Sequence, residues 1–313
     1  MTAPLQPLDR ARRLYRGNRV AVVAPSGTIV PERLERGVAV LESWGLEVVV
    51  GAHVRKRRRH LAGTDQQRAD DLQLAWCDPA TRAVICARGG SGAARIVDLL
   101  DWAAMQAAGP RVLVGFSDVT VLHQAVANRL GLATLFGPMA ATVAFAGDGS
   151  GAEADAASAE MLRATLFEPQ NVRALADGGL RCEVPGWASG VLVGGTLALL
   201  ANTVGTPEHR PARGGIAVLE DIAEPAYRID SMLTQLLRTG WFDGVAGIVL
   251  GSWTDCGPEA LETVVERLSP LGVPMASGLS FGHAVPQLTV PLGVAADLDA
   301  DAGTLVLKQP ALR

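Results

Sequence analysis

The sequence predicts an α/β protein built on a parallel sheet and divided into two units. Three observations predict it. Short apolar runs of strand length alternate with stretches of helical spacing from Val20 to Leu130, and a repeated βαβ order puts neighbouring strands parallel with helices on both faces. Apolar residues make up 49% of the chain but aromatics only 4%, the aliphatic composition of a sheet covered on both sides. At 313 residues the chain is long enough for two domains or one large one. Patterning weakens at 146–185, which reads as a linker between a unit at 1–145 and another at 186–313.

In order, Val20–Ala24 is a buried strand closed by the turn Pro25-Ser26-Gly27, and Pro31 opens a helix with Leu34, Val38, Leu41 and Trp44 on one face and Gly45 as its stop. Leu46–Val50 is a second strand. The polar turn His60–Asp65 leads into a helix over Gln66–Ala75, and Ala83–Ala87 is a third strand ending in Arg88-Gly-Gly-Ser-Gly92. A helix on Ala93, Ile96, Val97 and Leu100 follows. The run Val112–Gly115 then stops at Phe116-Ser117-Asp118, and a helix carrying Val119, Leu122, Val126 and Leu130 begins at once, with Gly131 to end it. Loop-like stretches at Gly147–Gly151 and Asp177–Gly179 flank a short helix at Ala157–Phe167. Gly190–Thr196 opens the second unit, followed by a helix at Leu197–Val204, a strand at Gly215–Leu219 ending in Glu220-Asp221, and a helix at Ile229–Leu237. A strand at Val245–Leu250, a helix near Glu259–Leu268, the loop Gly282–Gln287, Leu288–Leu292 and a last strand at Leu305–Leu307 complete the chain.

A net charge of −4 argues against nucleic acid as a partner. The one basic run, Arg55–Arg59, has no interleaved aromatics and reads as a solvated loop, with a phosphate-binding patch as the alternative. Cys77, Cys86, Cys182 and Cys256 show neither paired C-x-x-C spacing nor accompanying histidines, so neither a disulfide framework nor a zinc site is suggested. No stretch approaches the roughly 20 apolar residues of a membrane helix, and no signal-peptide core follows the N-terminal arginines. The expectation is a soluble, cytoplasmic protein.

A serine at a strand-to-helix junction is exposed at the carboxyl end of a sheet, with the N–H groups of the helix start behind it. Ser117 is therefore a candidate nucleophile; capping the helix is the other reading. In open α/β sheets, sites collect beyond the carboxyl ends of the strands, so the Pro25 turn, the Arg88 turn and Ser117 fall in one crevice. The glycines after Arg88 lack either phosphate-loop pattern, and suit an oxyanion-holding turn or an ordinary tight one. Serine needs a base, and imidazole is the usual one. His283 stands in a Gly/Pro-rich loop, free of any apolar helical face, whereas His123 lies nearly two helical turns past Ser117 and cannot easily reach back. Glu220, at a strand end, can orient the imidazole or be a surface carboxylate. Gly115-Phe-Ser-Asp118 lacks the trailing glycine of the G-x-S-x-G elbow.

Val23–Gly27, Leu61–Asp65, Arg88-Gly-Gly90, Gly115–Asp118, Leu219–Ile222 with Glu224-Pro225 and Tyr227–Asp230, and Gly282-His283 with Pro286-Gln287 occur in this order. Together they resemble the LD-carboxypeptidase family of serine peptidases, over about Arg19 to Leu307. The resemblance implies a Rossmann-like first domain carrying the nucleophile Ser117, a smaller α/β domain carrying the base His283 and its partner Glu220, and an active site between them. It implies oxyanion donors at the backbone N–H groups of Gly90 and Asp118, no metal or other cofactor, and a homodimer. The implied substrate is a murein tetrapeptide, free or as its UDP-muramoyl form, which loses its terminal D-alanine in cytoplasmic peptidoglycan recycling. Two positions depart from the family pattern: Ser91 replaces an aromatic and Thr196 an asparagine.

Two alternatives accompany this reading. A related branch resembles microcin C self-immunity peptidases, which cleave peptidyl or aminoacyl nucleotides; it predicts a stacking aromatic in the second domain, with Trp187 and Trp253 as candidates. A non-enzymatic small-ligand binder on the same scaffold predicts Ser117, Glu220 and His283 far apart.

Overall fold

Alternation along each strand sorts side chains into two opposite layers, and this sorting builds the protein from two sheets. The computed structural model describes residues 3–149 and 153–313; Ser150 and Gly151 of the expected 147–151 loop lie outside them. The first part of the chain runs β1 (Arg19–Val23), α1 (Pro31–Ser43), β2 (Glu47–Val50), α2 (Asp65–Cys77), β3 (Thr81–Cys86), α3 (Trp102–Ala108), β4 (Val112–Gly115), α4 (Thr120–Leu130), β5 (Thr134–Phe136), α5 (Val143–Ala146) and α6 (Ala156–Phe167). It continues through β6 (Ala174–Ala176), β7 (Arg181–Val184), β8 (Trp187–Thr196), α7 (Leu197–Asn202), β9 (Gly215–Ile222), α8 (Ala226–Arg238), β10 (Gly247–Thr254), α9 (Ala260–Leu268), β11 (Met275–Ser277), β12 (Val290–Leu292), β13 (Ala295–Asp299) and β14 (Thr304–Leu307).

Among the described residues the first sheet has the order β12-β5-β4-β3-β1-β2. Its five strands from the N-terminal half are parallel, and β12 adds antiparallel to β5. The chain leaves β1 for β2 on one side and reaches β3 on the other, so the topological switch lies between β1 and β3. The second sheet has the order β6-β14-β13-β8-β9-β10-β11-β7; its centre, β8 to β11, is parallel and its outer strands are antiparallel. The mixed α/β class of the sequence reading is what the protein adopts.

Ala83 and Ile85 of β3 pack under α1 and α6 with Leu34, Leu41, Leu162 and Leu166. Val84 and Cys86 face the other way, towards Leu72 and Trp76 of α2 and Leu122 of α4. That second layer continues without a break into Leu192, Ile216, Val218 and Val249 of the second sheet. Val193, Ala217, Leu219 and Leu250, on the opposite face, pack under α7, α8 and α9 with Leu200, Leu233 and Val264. One apolar layer thus joins both halves.

Helix signals read from the sequence have physical counterparts. Thr64 and Gln67 form a reciprocal capping box at the start of α2, and Gly131 closes α4 in the left-handed conformation at φ +63°. Ala93–Leu99 forms a 3-10 helix where regular helical spacing was expected. This segment of 7 residues connects the left-handed Gly92 to the extended Leu100, a connector role that 3-10 helices often fill, though usually in shorter runs. The segment 146–185, expected as a linker, holds α6, packed on the first sheet's core, and two edge strands of the second sheet. Among the described residues, no helix is long and apolar enough to cross a membrane.

Candidate active site

The carboxyl end of β4 faces the carboxyl ends of β8 and β9. Ser117 follows β4 and begins the 3-10 turn Ser117–Val119 that leads into α4. Its backbone is left-handed at φ +60°, a conformation that costs a non-glycine residue about 1–3 kcal/mol and clusters at functional sites. The side chain is half-buried. Its hydroxyl caps neither the 3-10 turn nor α4, so the capping alternative is not realised.

Gly89 makes this turn possible. A Cβ added there would meet Ser117 Cβ at 2.9 Å and Oγ at 3.1 Å. Gly90 follows at φ +110°. Among the described residues, the backbone N–H groups of Gly90 and Asp118 have no hydrogen-bond partner, so two amides remain available on either side of the serine. The Asp118 carboxylate is not available: it is buried and accepts from the Ala93 N–H at 2.8 Å, tying the serine turn to the end of the glycine turn.

Glu220 lies near the carboxyl end of β9 and is fully buried. It stands opposite Thr196 of β8 in the parallel register, and the Thr196 hydroxyl donates to its Oε1 at 2.5 Å. Its Oε2 accepts from the His283 ring Nδ1–H at 2.7 Å and from the His283 backbone N–H at 3.2 Å. Because a carboxylate only accepts, this bond puts the proton of neutral His283 on Nδ1 and leaves Nε2 as an acceptor. Gly282 permits the approach: a Cβ there would fall 2.2 Å from the Glu220 carboxylate, and its φ of +88° suits glycine.

Ser117 is brought to this pair from two directions. The Phe116 ring packs edge-on against the His283 ring, with centroids 4.9 Å apart. Three residues beyond Ser117, the Thr120 hydroxyl accepts from the Thr196 N–H at 3.2 Å. Neither Ser117 Oγ nor His283 Nε2 hydrogen bonds to another described residue, so both atoms are unclaimed.

The other titratable groups nearby play supporting parts. His123 is buried; its Nε2–H donates to Gly115 O at 2.9 Å and its Nδ1 accepts from Thr134 at 2.8 Å. Burial holds its pKa down to about 4, so it is a neutral latch beneath β4. Asp221 points away from Glu220, accepting from the Ala198 N–H at 2.8 Å. Burial pushes its carboxyl up to about 6.

Two clefts meet at Gly90 and Ser91. One, of about 500 Å³, runs between the halves past Asp118, Leu199, Thr203 and Glu208; the other, of about 440 Å³, is lined by Gly27, Thr28, Arg57, Arg59, His60 and Arg88. Trp187 is 61% exposed and pairs with Asp299 at the start of β8. Nine residues at about 3.3 Å each separate it from Thr196, so it does not reach the site. Trp253 packs against the core of the second sheet. Sequence reasoning did not assign the hydrogen bond from Thr196 or the approaches at Gly89 and Gly282; the signal for the latter was the glycine preceding each motif position.

Residues 20–137 match the model of the LD-carboxypeptidase N-terminal domain and residues 189–298 that of the C-terminal domain. The chain belongs to the LD-carboxypeptidase family. It is a serine-type carboxypeptidase. It is 36% identical to the murein tetrapeptide carboxypeptidase of Pseudomonas aeruginosa over 95% of each chain. The crystal structure of muramoyltetrapeptide carboxypeptidase from Oxalobacter formigenes superposes with a TM-score of 0.79 at 31% identity, covering 93% of this chain and 98% of that one. The microcin C7 self-immunity protein bound to aspartyl sulfamoyl adenosine shares the fold, with a TM-score of 0.83 at 22% identity over 97% of this chain and 99% of that one.

Proposed function

We propose that the protein removes the terminal D-alanine from murein tetrapeptides, free or UDP-muramoyl-linked, in cytoplasmic peptidoglycan recycling. The observation that carries this reading is the hydrogen bond from His283 to the buried Glu220 beside the left-handed Ser117, in a chain two of whose named relatives are murein tetrapeptide and muramoyltetrapeptide carboxypeptidases. Ser117 Oγ attacks the carbonyl carbon of the residue preceding D-alanine and passes its proton to His283 Nε2. Glu220 holds the Nδ1–H and stabilises the imidazolium. The N–H groups of Gly90 and Asp118 receive the oxyanion, where preorganised donors lower the barrier most. The imidazolium then protonates the departing amine, and D-alanine leaves. Water, deprotonated by the same His283, cleaves the acyl-enzyme and restores the serine. We assign the protein to a homodimer by the same family resemblance, which light scattering tests.

The test is D-alanine release from a tetrapeptide by wild type and Ser117→Ala. Loss of the nucleophile is expected to lower kcat by on the order of 10⁶-fold. Release at the wild-type rate by a well-folded Ser117→Ala removes the serine from the mechanism, and no release by wild type removes the murein reading.

A further inference from the structure

The arginine-lined cleft beside Gly90 has no part in the steps above, yet it is built as a binding site. Arg57, Arg59, Arg88 and His60 line it together with Gly27, Thr28, Gly90 and Ser91, and no carboxylate contributes. Among the described residues, none of the three arginines makes an ion pair. The chain as a whole carries a net charge of −4, so this concentration of unpaired cations is local. A cleft lined by one sign of charge focuses its field on a ligand of the other sign.

The floor is tied down by backbone. Gly27 N–H donates to Gly89 O at 3.0 Å, Thr28 N–H to His60 O at 3.1 Å, and Arg88 Nη1–H to Thr28 O at 2.8 Å. A Cβ on Gly27 would fall 2.9 Å from Gly89 O, so the floor is closed without side chains. The cleft also lies off the carboxyl ends of β1 and β3, at the topological switch where open α/β sheets hold ligands.

The geometry points to this cleft as the seat of the substrate's terminal carboxylate, the group that distinguishes a carboxypeptidase substrate from an internal peptide. The assignment rests on the carboxypeptidase reading and adds the source of its selectivity for chain ends. The terminal carboxylate lies one residue beyond the scissile carbonyl, and neighbouring residues are about 3.8 Å apart. An oxyanion on the Gly90 amide therefore places the carboxylate next to Gly90, on one side or the other. The inter-half cleft is lined by Asp98 and Glu208, and its one lining cation, Arg95, is already paired with Asp65 at 2.6 Å, which disfavours a second anion. The cationic cleft favours one, and guanidinium groups match the two oxygens of a carboxylate. The diphosphate of a nucleotide-linked substrate sits at the opposite end of the stem, away from Gly90.

The test compares a murein tetrapeptide ending in free D-alanine with the same peptide ending in D-alaninamide. Wild type is expected to prefer the acid, and Arg57→Gln/Arg59→Gln to lose about 10- to 100-fold in kcat/KM on the acid, the factor carried by a charge-assisted hydrogen bond. The loss should appear in KM more than in kcat, collapse the acid-over-amide preference, and be partly restored in Arg57→Lys/Arg59→Lys. An unchanged preference, or equal losses on both peptides, overturns the assignment. A loss seen only with the UDP-muramoyl form identifies the diphosphate as the anion and also overturns it. Calorimetry of both peptides on Ser117→Ala separates this inference from its parent. A wild type that releases nothing, beside a Ser117→Ala that binds acid over amide through the arginines, rejects the reaction and keeps the anion site.

Discussion

Adding one methyl group at Gly89 should disable the enzyme while leaving it folded. Gly89 is buried and its backbone is not left-handed, so alanine meets no conformational barrier there. What it meets is Ser117. The new Cβ would lie 2.9 Å from Ser117 Cβ and 3.1 Å from Oγ, against about 3.5 Å for the closest comfortable carbon contact. One of the two turns must therefore yield by about 0.6 Å or more. Displacements approaching 1 Å at a reacting atom cost on the order of 10²-fold in rate, and overpacking at a buried site costs about 1–3 kcal/mol in stability. Gly89→Ala should thus lower kcat for D-alanine release by about 10²-fold while retaining a cooperative unfolding transition. Gly179→Ala serves as the control, because nothing lies within 4 Å of its added Cβ. Wild-type kcat in Gly89→Ala, with Ser117 still required, would refute the placement of the serine against this turn.

Other perturbations follow from the same geometry. Glu220→Gln removes the charge that stabilises the His283 imidazolium and lets an amide N–H face the ring in place of an acceptor, and should lower kcat by on the order of 10⁴-fold; Gly282→Ala should act similarly by driving the carboxylate off the ring, and a fully active Gly282→Ala sinks that account. Thr196→Val leaves Glu220 Oε1 buried without its donor and should destabilise the fold by about 1–3 kcal/mol, whereas Thr196→Ser should not; urea unfolding measures both. Asp221, raised to about 6 from its usual 3.8, takes up a proton in the folded state first, so it adds stability as pH falls from 6 to 4. His123, lowered from 6.5 to about 4, does the reverse, because the unfolded chain protonates first and stability is lost as pH falls through that window. Each effect is about 3 kcal/mol at most, and they offset. Asp221→Asn should therefore steepen acid destabilisation between pH 6 and 4 and His123→Gln should flatten it; identical slopes in urea titrations of all three proteins contradict these shifts.

The first sheet was legible because its inner strands are buried on both faces and its helices carry strong stops, as at Gly45 and Gly131. The second sheet was less so. Its edge strands β6 and β7 are short and partly exposed, so neither alternation nor an apolar run marks them, and they exist by pairing with β14 and β11. Ser117, Glu220 and His283 could each be singled out by position, at a strand end or in a loop. Nothing in their spacing says that β8 registers Thr196 against Glu220, because that contact depends on how two strands align. The basic run at Arg55–Arg59 is exposed, as a solvated loop would be; nothing local showed that Arg57 and Arg59 share a cleft with the Arg88 turn.

The His283 loop leaves β11 in one sheet and enters β12 in the other. Near the opposite end of the chain, Leu5 donates to Arg213 O in the second half. The protein is therefore laced together, and neither half is a module that can be exchanged whole. A piece ending at residue 145 lacks β12 and exposes β5 as a bare edge, open to pairing with a second copy. Its complement carries β12 with no strand to join. Shuffling halves between relatives therefore needs residues 290–292 to travel with the first sheet, and a circular permutant cut inside the loop would test how much of the rigidity of the histidine comes from this lacing.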